Sequence, residues 1–206
     1  MGSAADEATH AQLVQVAHRW LTTRGACDFA FAEFGNNTTA EKPDVLGFLD
    51  IDHTVLIEVK ISRSDFLADA RKPWRQRPEE GMGDWRYYLT PPGLLRAEEL
   101  PRNWGLLEAG PRGVRLVKPL AIHEQKGKDF PALGRYLEQN DMAYMHPARE
   151  RWARCTAEQH PKHRAGELAL LYGVARRLHL KDCFGILKTP EKTRVEWQVA
   201  PNPTSP

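Results

Sequence analysis

Residues Thr54 to Ile61 read TVLIEVKI, an apolar and β-branched run that closes with an acid and a base two positions apart. Such a composition favours a strand. Side chains alternate faces along a strand, so Leu56, Glu58 and Lys60 share one face while Val55, Ile57, Val59 and Ile61 fill the other. The apolar face belongs to the core. The charged face poses the functional question.

The preceding residues supply a partner for it. Pro43 leads into DVLGFL, Asp44 to Leu49, a second strand whose first position tolerates proline because it need not donate to the ladder. Asp50 to His53 forms the turn between them. With Leu46 facing Leu56 and Phe48 facing Thr54, Asp44 faces Glu58. A shift of two residues sets Asp44 against Lys60 instead, and a shift of one turns it to the apolar side, where an isolated carboxylate is costly. The pattern therefore gathers Asp44, Glu58 and Lys60. Two adjacent carboxylates repel unless a cation lies between them. Oxygen donors of this kind suit Mg²⁺ with several waters, and a lysine beside that ion can orient an attacking water or stabilise charge developing on a phosphate.

Working outward, Leu13, Val16, Ala17, Trp20 and Leu21 recur at helical spacing and predict an amphipathic helix that closes at Gly25. Cys27 to Phe34 alternates and reads as a strand, with Glu33 near its end and Gly35-Asn36-Asn37 as its turn. After the TVLIEVKI strand, Ser62 or Ser64 caps a helix through Asp65, Phe66, Leu67 and Ala70 that ends near Lys72-Pro73. Trp85 to Thr90 is a further strand, Leu94 to Leu100 a short helix, and Trp104 to Glu108 with Val114 to Lys118 a hairpin across AGPRG. The order is helix, three strands, helix, more strands. From about Phe130 the texture becomes helical, and Leu168, Leu171, Tyr172, Ala175 and Leu178 form an apolar stripe for packing against the core or against a second copy in a homodimer.

Pro43-Asp44, thirteen intervening residues and Glu58-Val59-Lys60 resemble the PD-(D/E)XK motif of the restriction-endonuclease-like nuclease superfamily. The element order around the motif is similar to that superfamily's core over roughly residues 10 to 120. Glu58 to Asp69, EVKISRSDFLAD, also resembles the segment after the motif in small bacterial and prophage members, a DNA-repair-like group among them. The resemblance implies an α/β fold, with a restriction-endonuclease-like core of central mixed β-sheet and flanking helices over residues 1–125. A helical C-terminal extension, 126–200, and a disordered tail, 201–206, complete the expected layout. It further implies a Mg²⁺- or Mn²⁺-dependent phosphodiester hydrolase acting on DNA. Asp44, Glu58 and the main-chain carbonyl of Val59 would hold the metal and Lys60 would serve the water. Many members add an upstream glutamate, for which Glu33 is the candidate and Glu7 the second choice. Structure-specific cleavage of branched or damaged DNA is one alternative. A non-catalytic DNA-binding module that keeps the fold is another, against which the intact acid and base positions speak.

Charge and composition narrow the remaining classes. The 206 residues carry a net charge of only +2, so attraction to nucleic acid must rest on local clusters. One such cluster runs from Lys60 to Arg77, where six basic residues stand against two acids. Arg63, Arg71, Lys72, Arg75 and Arg77 are the expected contacts to DNA phosphates, with a solvated helix end as the plainer alternative. Cys27, Cys155 and Cys183 are widely spaced and odd in number, which suits a reducing, cytoplasmic setting better than a disulfide framework. His146, Cys155, His160 and His163 match no standard zinc spacing. No run reaches the roughly 18 apolar residues of a membrane span.

Overall fold

The computed structural model describes residues 4–34, 40–124 and 149–181. Its centre is a six-stranded mixed sheet whose spatial order follows the chain: β1 (Phe29–Ala32), β2 (Val45–Phe48), β3 (Thr54–Val59), β4 (Trp85–Thr90), β5 (Trp104–Gly110) and β6 (Gly113–Lys118). The first three strands are antiparallel, β4 and β5 continue parallel to β3, and β6 returns antiparallel to β5. An α/β fold follows from the helices on both faces. α1 (Ala4–Thr23) precedes the sheet, and α2 (Arg63–Asp69) with the short α3 (Pro73–Gln76) links β3 to β4. α4 (Ala121–Glu124), α5 (Arg149–Ala157) and α6 (Arg164–Leu180) come after it.

Two hydrophobic cores result, one on each face. Leu13, Ala17 and Leu21 of α1 pack on Val55, Ile57 and Val59, joined by Trp152 and Cys155 of α5. On the opposite face Leu46, Leu56, Tyr88 and Leu106 meet Phe66 of α2 and Leu170 of α6. The charged face of β3 is covered as fully as its apolar one: all six of its residues are buried. A parallel strand inside a sheet needs cover on both sides, and here the face carrying Glu58 is roofed as well.

The C-terminal helices are therefore part of the core's packing. The apolar stripe expected on α6 does not face inward, since Leu168 and Tyr172 are 67% and 69% exposed. The helix turns its Glu167–Leu170 face to the sheet instead, with Leu171 and Val174 half-buried beside it. Glu167 makes this possible. Its carboxylate accepts from Thr54 Oγ1 at 2.8 Å and from the Gly83 N–H at 2.9 Å, and Lys162 Nζ lies 3.0 Å away. A buried acid with three donors is tolerated where a lone one is not. Two smaller departures concern local ends. α2 stops at Asp69 and the chain restarts as α3 with Pro73 at its first turn, and the helix expected over Leu94 to Leu100 shrinks to a 3₁₀ turn, Ala97–Glu99.

Gly105 on β5 shows how tightly the strands are filled. A Cβ there would sit 2.1 Å from the Tyr87 ring. Gly105→Ala is expected to cost about 1–3 kcal/mol by overpacking, read from a urea midpoint; an unchanged midpoint would mean that the Tyr87 ring has room to move. Tyr87 is fixed at its far end, accepting from the Leu120 N–H at 3.1 Å and donating to His123 Nδ1 at 2.7 Å. His123 Nε2 then donates to the Gly25 carbonyl at 3.1 Å.

That arrangement needs a neutral imidazole. Burial pulls His123 down to about 4, and burial with the nearby Arg86 charge does the same to His160. The unfolded chain takes up these protons near pH 6.5, so both groups contribute stability above that pH which is lost as pH falls toward 4. NMR titration should show these two imidazoles still neutral at pH 5; titration near 6.5 would contradict the buried, neutral assignment.

Candidate active site

The β2–β3 register is the one that brings the charged residues together. Leu46 pairs with Leu56 and Phe48 with Thr54, so continuing the ladder by one residue sets Asp44 against Glu58. Asp44 is tied there by its own carboxylate, which accepts from the Val59 N–H at 2.8 Å. Next to it Lys60 Nζ donates to Glu58 Oε2 at 3.1 Å. The ends of β2 and β3 thus place Asp44, Glu58, Val59 and Lys60 in one corner of the sheet.

Glu58 and Lys60 are each only 2% exposed, which answers why a strand would bury both charges: a second set of ions is buried with them. Ser62 caps α2 by accepting from the Asp65 N–H at 3.1 Å, and the helix carries Asp69 back over the sheet. Asp69 Oδ1 lies 3.3 Å from Lys60 Nζ and 2.7 Å from Lys72 Nζ, while Asp69 Oδ2 accepts from Tyr88 Oη and Arg75 Nε, both at 2.8 Å. Arg75 reaches Glu58 Oε1 at 3.2 Å, pairs with Glu41, and rests its guanidinium 4.9 Å from the centre of the Trp104 ring. Glu41 in turn accepts from the Met82 N–H. Carboxylates and cations alternate through the cluster.

The electrostatics follow from burial set against these partners. Burial pushes the Glu58 carboxyl up to about 7, with Lys60 opposing and Asp44 adding to the rise. Burial alone would lower Lys60, yet Glu58 and Asp69 outweigh it and hold the ammonium above its ordinary range. Asp69 is desolvated too, but Arg75 and Lys60 keep it well below the usual carboxylate range. Asp44 is likewise held low against burial by His10, the Val59 N–H and Lys60. His10 Nε2 stands 3.6 Å from Asp44, and that carboxylate raises the imidazole above its ordinary value.

The other expected site residues divide. Glu33 lies beside Asp44, its N–H donating to the Asp44 carbonyl at 2.8 Å, but its side chain is 59% exposed and 4.0 Å from His10 Nδ1. Glu7 belongs to α1. Arg71 and Arg77 are exposed, as phosphate contacts must be, with Arg77 sharing its charge with Glu80 and exposed Arg63 bound to Glu99 at 2.6 Å. Lys72 is 39% exposed on the rim of the cluster. Arg75 is a correction: its side chain is 5% exposed, because three acids draw it inward. Among the described residues no three Cys, His, Asp or Glu side chains converge as a metal cage. Any cation here would be held by Asp44, Glu58, the Val59 carbonyl and water.

No protein-family model and no curated protein matches the chain. Among solved structures it is similar to the SPO1766 protein of unknown function from Silicibacter pomeroyi, with 24% identity over 85% of this chain and 94% of that one and a TM-score of 0.46. No helix among the described residues is long and apolar enough to cross a membrane.

Sequence reasoning missed Glu41, Asp69 and His10. Asp69 left a trace, standing three residues after Phe66 on what becomes the buried side of α2. Glu41, in the loop before Pro43, left none. Of the weighed zinc set, Cys155 is buried in the core and its carbonyl accepts from Trp85 Nε1, and His146 lies outside the described residues, as do Cys183 and the tail.

Proposed function

We propose that the chain is a metal-dependent nuclease of the PD-(D/E)XK, restriction-endonuclease-like type that hydrolyses phosphodiester bonds in DNA. The observation that carries this reading is the β2–β3 register, whose last pair, Val45 with Ile57, sets Asp44 against Glu58 one step further on, with Lys60 bonded to Glu58 at 3.1 Å. The donor set fits Mg²⁺ or Mn²⁺: two neighbouring carboxylates and the main-chain carbonyl of Val59 are hard oxygen ligands. A Glu58 carboxyl pushed up to about 7 by burial also gains from added positive charge. When bound, the ion supplies Lewis-acid stabilisation of charge on the phosphate. Lys60 orients the water and offers its ammonium to the same charge. Asp69 keeps a hold on Lys60 when Glu58 turns to the ion, since it contacts Nζ independently at 3.3 Å.

One observation favours a non-catalytic DNA-binding module instead. Both Glu58 oxygens already face cations, Lys60 on one side and Arg75 on the other. A chain locked in that state would bind DNA without cutting it.

A cleavage assay separates the two. Supercoiled plasmid, single-stranded DNA and a branched duplex are incubated with Mg²⁺, Mn²⁺ or EDTA. Cutting is expected with either metal and none with EDTA. Asp44→Asn keeps an oxygen for the Val59 N–H, so the variant should fold while its cleavage rate drops by roughly 10²-fold. Tight binding without cutting in any metal would overturn the enzyme reading in favour of the module.

A further inference from the structure

Away from this corner, the last turns of α1 and the tight turn between β5 and β6 enclose a cleft of about 250 Å³. Its floor is apolar, made by Val16, Trp20 and Val114. Arg19, Arg24 and Arg112, all exposed, stand around it, and among the described residues no acidic side chain lines it. None of the three has an ion-pair partner among the described residues, whereas Arg63, Arg77 and Arg115 each meet a glutamate. Three uncompensated guanidiniums around one concavity repel one another, and an anion seated between them relieves the repulsion.

We propose that this cleft seats the phosphate backbone of DNA, as a second contact remote from the Asp44–Glu58 corner; the choice of DNA rests on the nuclease reading above. The shape suits a phosphodiester group held by the guanidiniums with its sugar on the apolar floor.

The test measures binding in EDTA, so that cutting does not enter. Labelled single-stranded and duplex oligonucleotides are titrated with the wild-type chain, with an Arg19→Gln/Arg24→Gln/Arg112→Gln variant and with the corresponding triple lysine variant. The glutamine variant should bind about tenfold more weakly or worse, and its slope of log affinity against log salt should shrink by roughly 2–3, near one unit per lost phosphate contact. The lysine variant should keep most of the slope. Unchanged affinity and slope in the glutamine variant would overturn the proposal, as would polyglutamate binding that depends on the three arginines while DNA binding does not. Loss of the slope in a chain that never cuts DNA would sink the nuclease and leave the cleft standing. Metal-dependent cutting with an unaltered slope would do the reverse.

Discussion

Replacing Arg75 by methionine is expected to lower the unfolding free energy by about 3–5 kcal/mol, the usual cost of removing one partner from a buried ion cluster. The guanidinium meets three carboxylates at once: Nε donates to Asp69 at 2.8 Å, one terminal nitrogen pairs with Glu41, and the other faces Glu58 at 3.2 Å. Methionine fills much of the same volume against the Trp104 ring, so the loss reports charge rather than a cavity. Glu41 and Asp69 are 1% and 0% exposed, and neither can recover water without opening the roof over β3. Arg75→Lys should restore only part of the loss, because a point charge cannot bridge three acids that a planar fork can. Urea unfolding followed by tryptophan fluorescence measures both variants. A loss under about 1 kcal/mol for Arg75→Met would mean that water replaces the guanidinium at these carboxylates, and the buried-cluster description would fall with it.

What could be read from the sequence depended on how local the determining contact was. The β2–β3 hairpin spans fewer than twenty residues, its alternation fixes faces, and an unpaired Asp44 on the apolar side would be penalised; register and gathered charges were legible together. The roof over those charges was not. Glu41 and Arg75 meet from 34 positions apart, and each sits in a segment whose polar neighbours make it look solvated. Arg75 was accordingly expected on the surface with Arg71 and Arg77, when the pull of three interior acids decides its place. The same distance hid which face of α6 meets the sheet. Its Leu168–Tyr172 stripe is the more apolar face, yet Glu167 goes inward because Thr54, Gly83 and Lys162 wait for it across more than 80 residues of chain for the first two. Nor does strand patterning reveal that β4 and β5 run parallel, since their connection carries only a 3₁₀ turn where a crossover helix is the usual signal.

Lys60→Ala is expected to reduce metal-dependent DNA cleavage by about 10²–10⁴-fold, the range for losing a positioned acid–base or charge-stabilising group. Lys60, the residue just past the end of β3, contacts Glu58 directly, and its ammonium is held charged by Glu58 and Asp69 together. Removing it also unbalances a buried cluster, so part of any loss could reflect unfolding. Asp69→Asn tells the two effects apart. It leaves Lys60 and both proposed metal-holding carboxylates in place, keeps an oxygen for Tyr88 Oη, and removes the negative charge that helps keep the ammonium protonated. Asp69→Asn also removes one partner from the buried cluster and lowers stability, so rates are referred to the folded fraction measured by circular dichroism at each pH. With the charge gone the lysine releases its proton more readily, and the alkaline limb of the pH–rate profile so corrected should move to lower pH. A purely structural Asp69 would lower the yield of folded protein and leave the profile where it was. If folded Lys60→Ala cuts DNA at the wild-type rate, the ammonium serves only to balance Glu58 and Asp69, and the chemistry has to be sought outside this corner of the sheet.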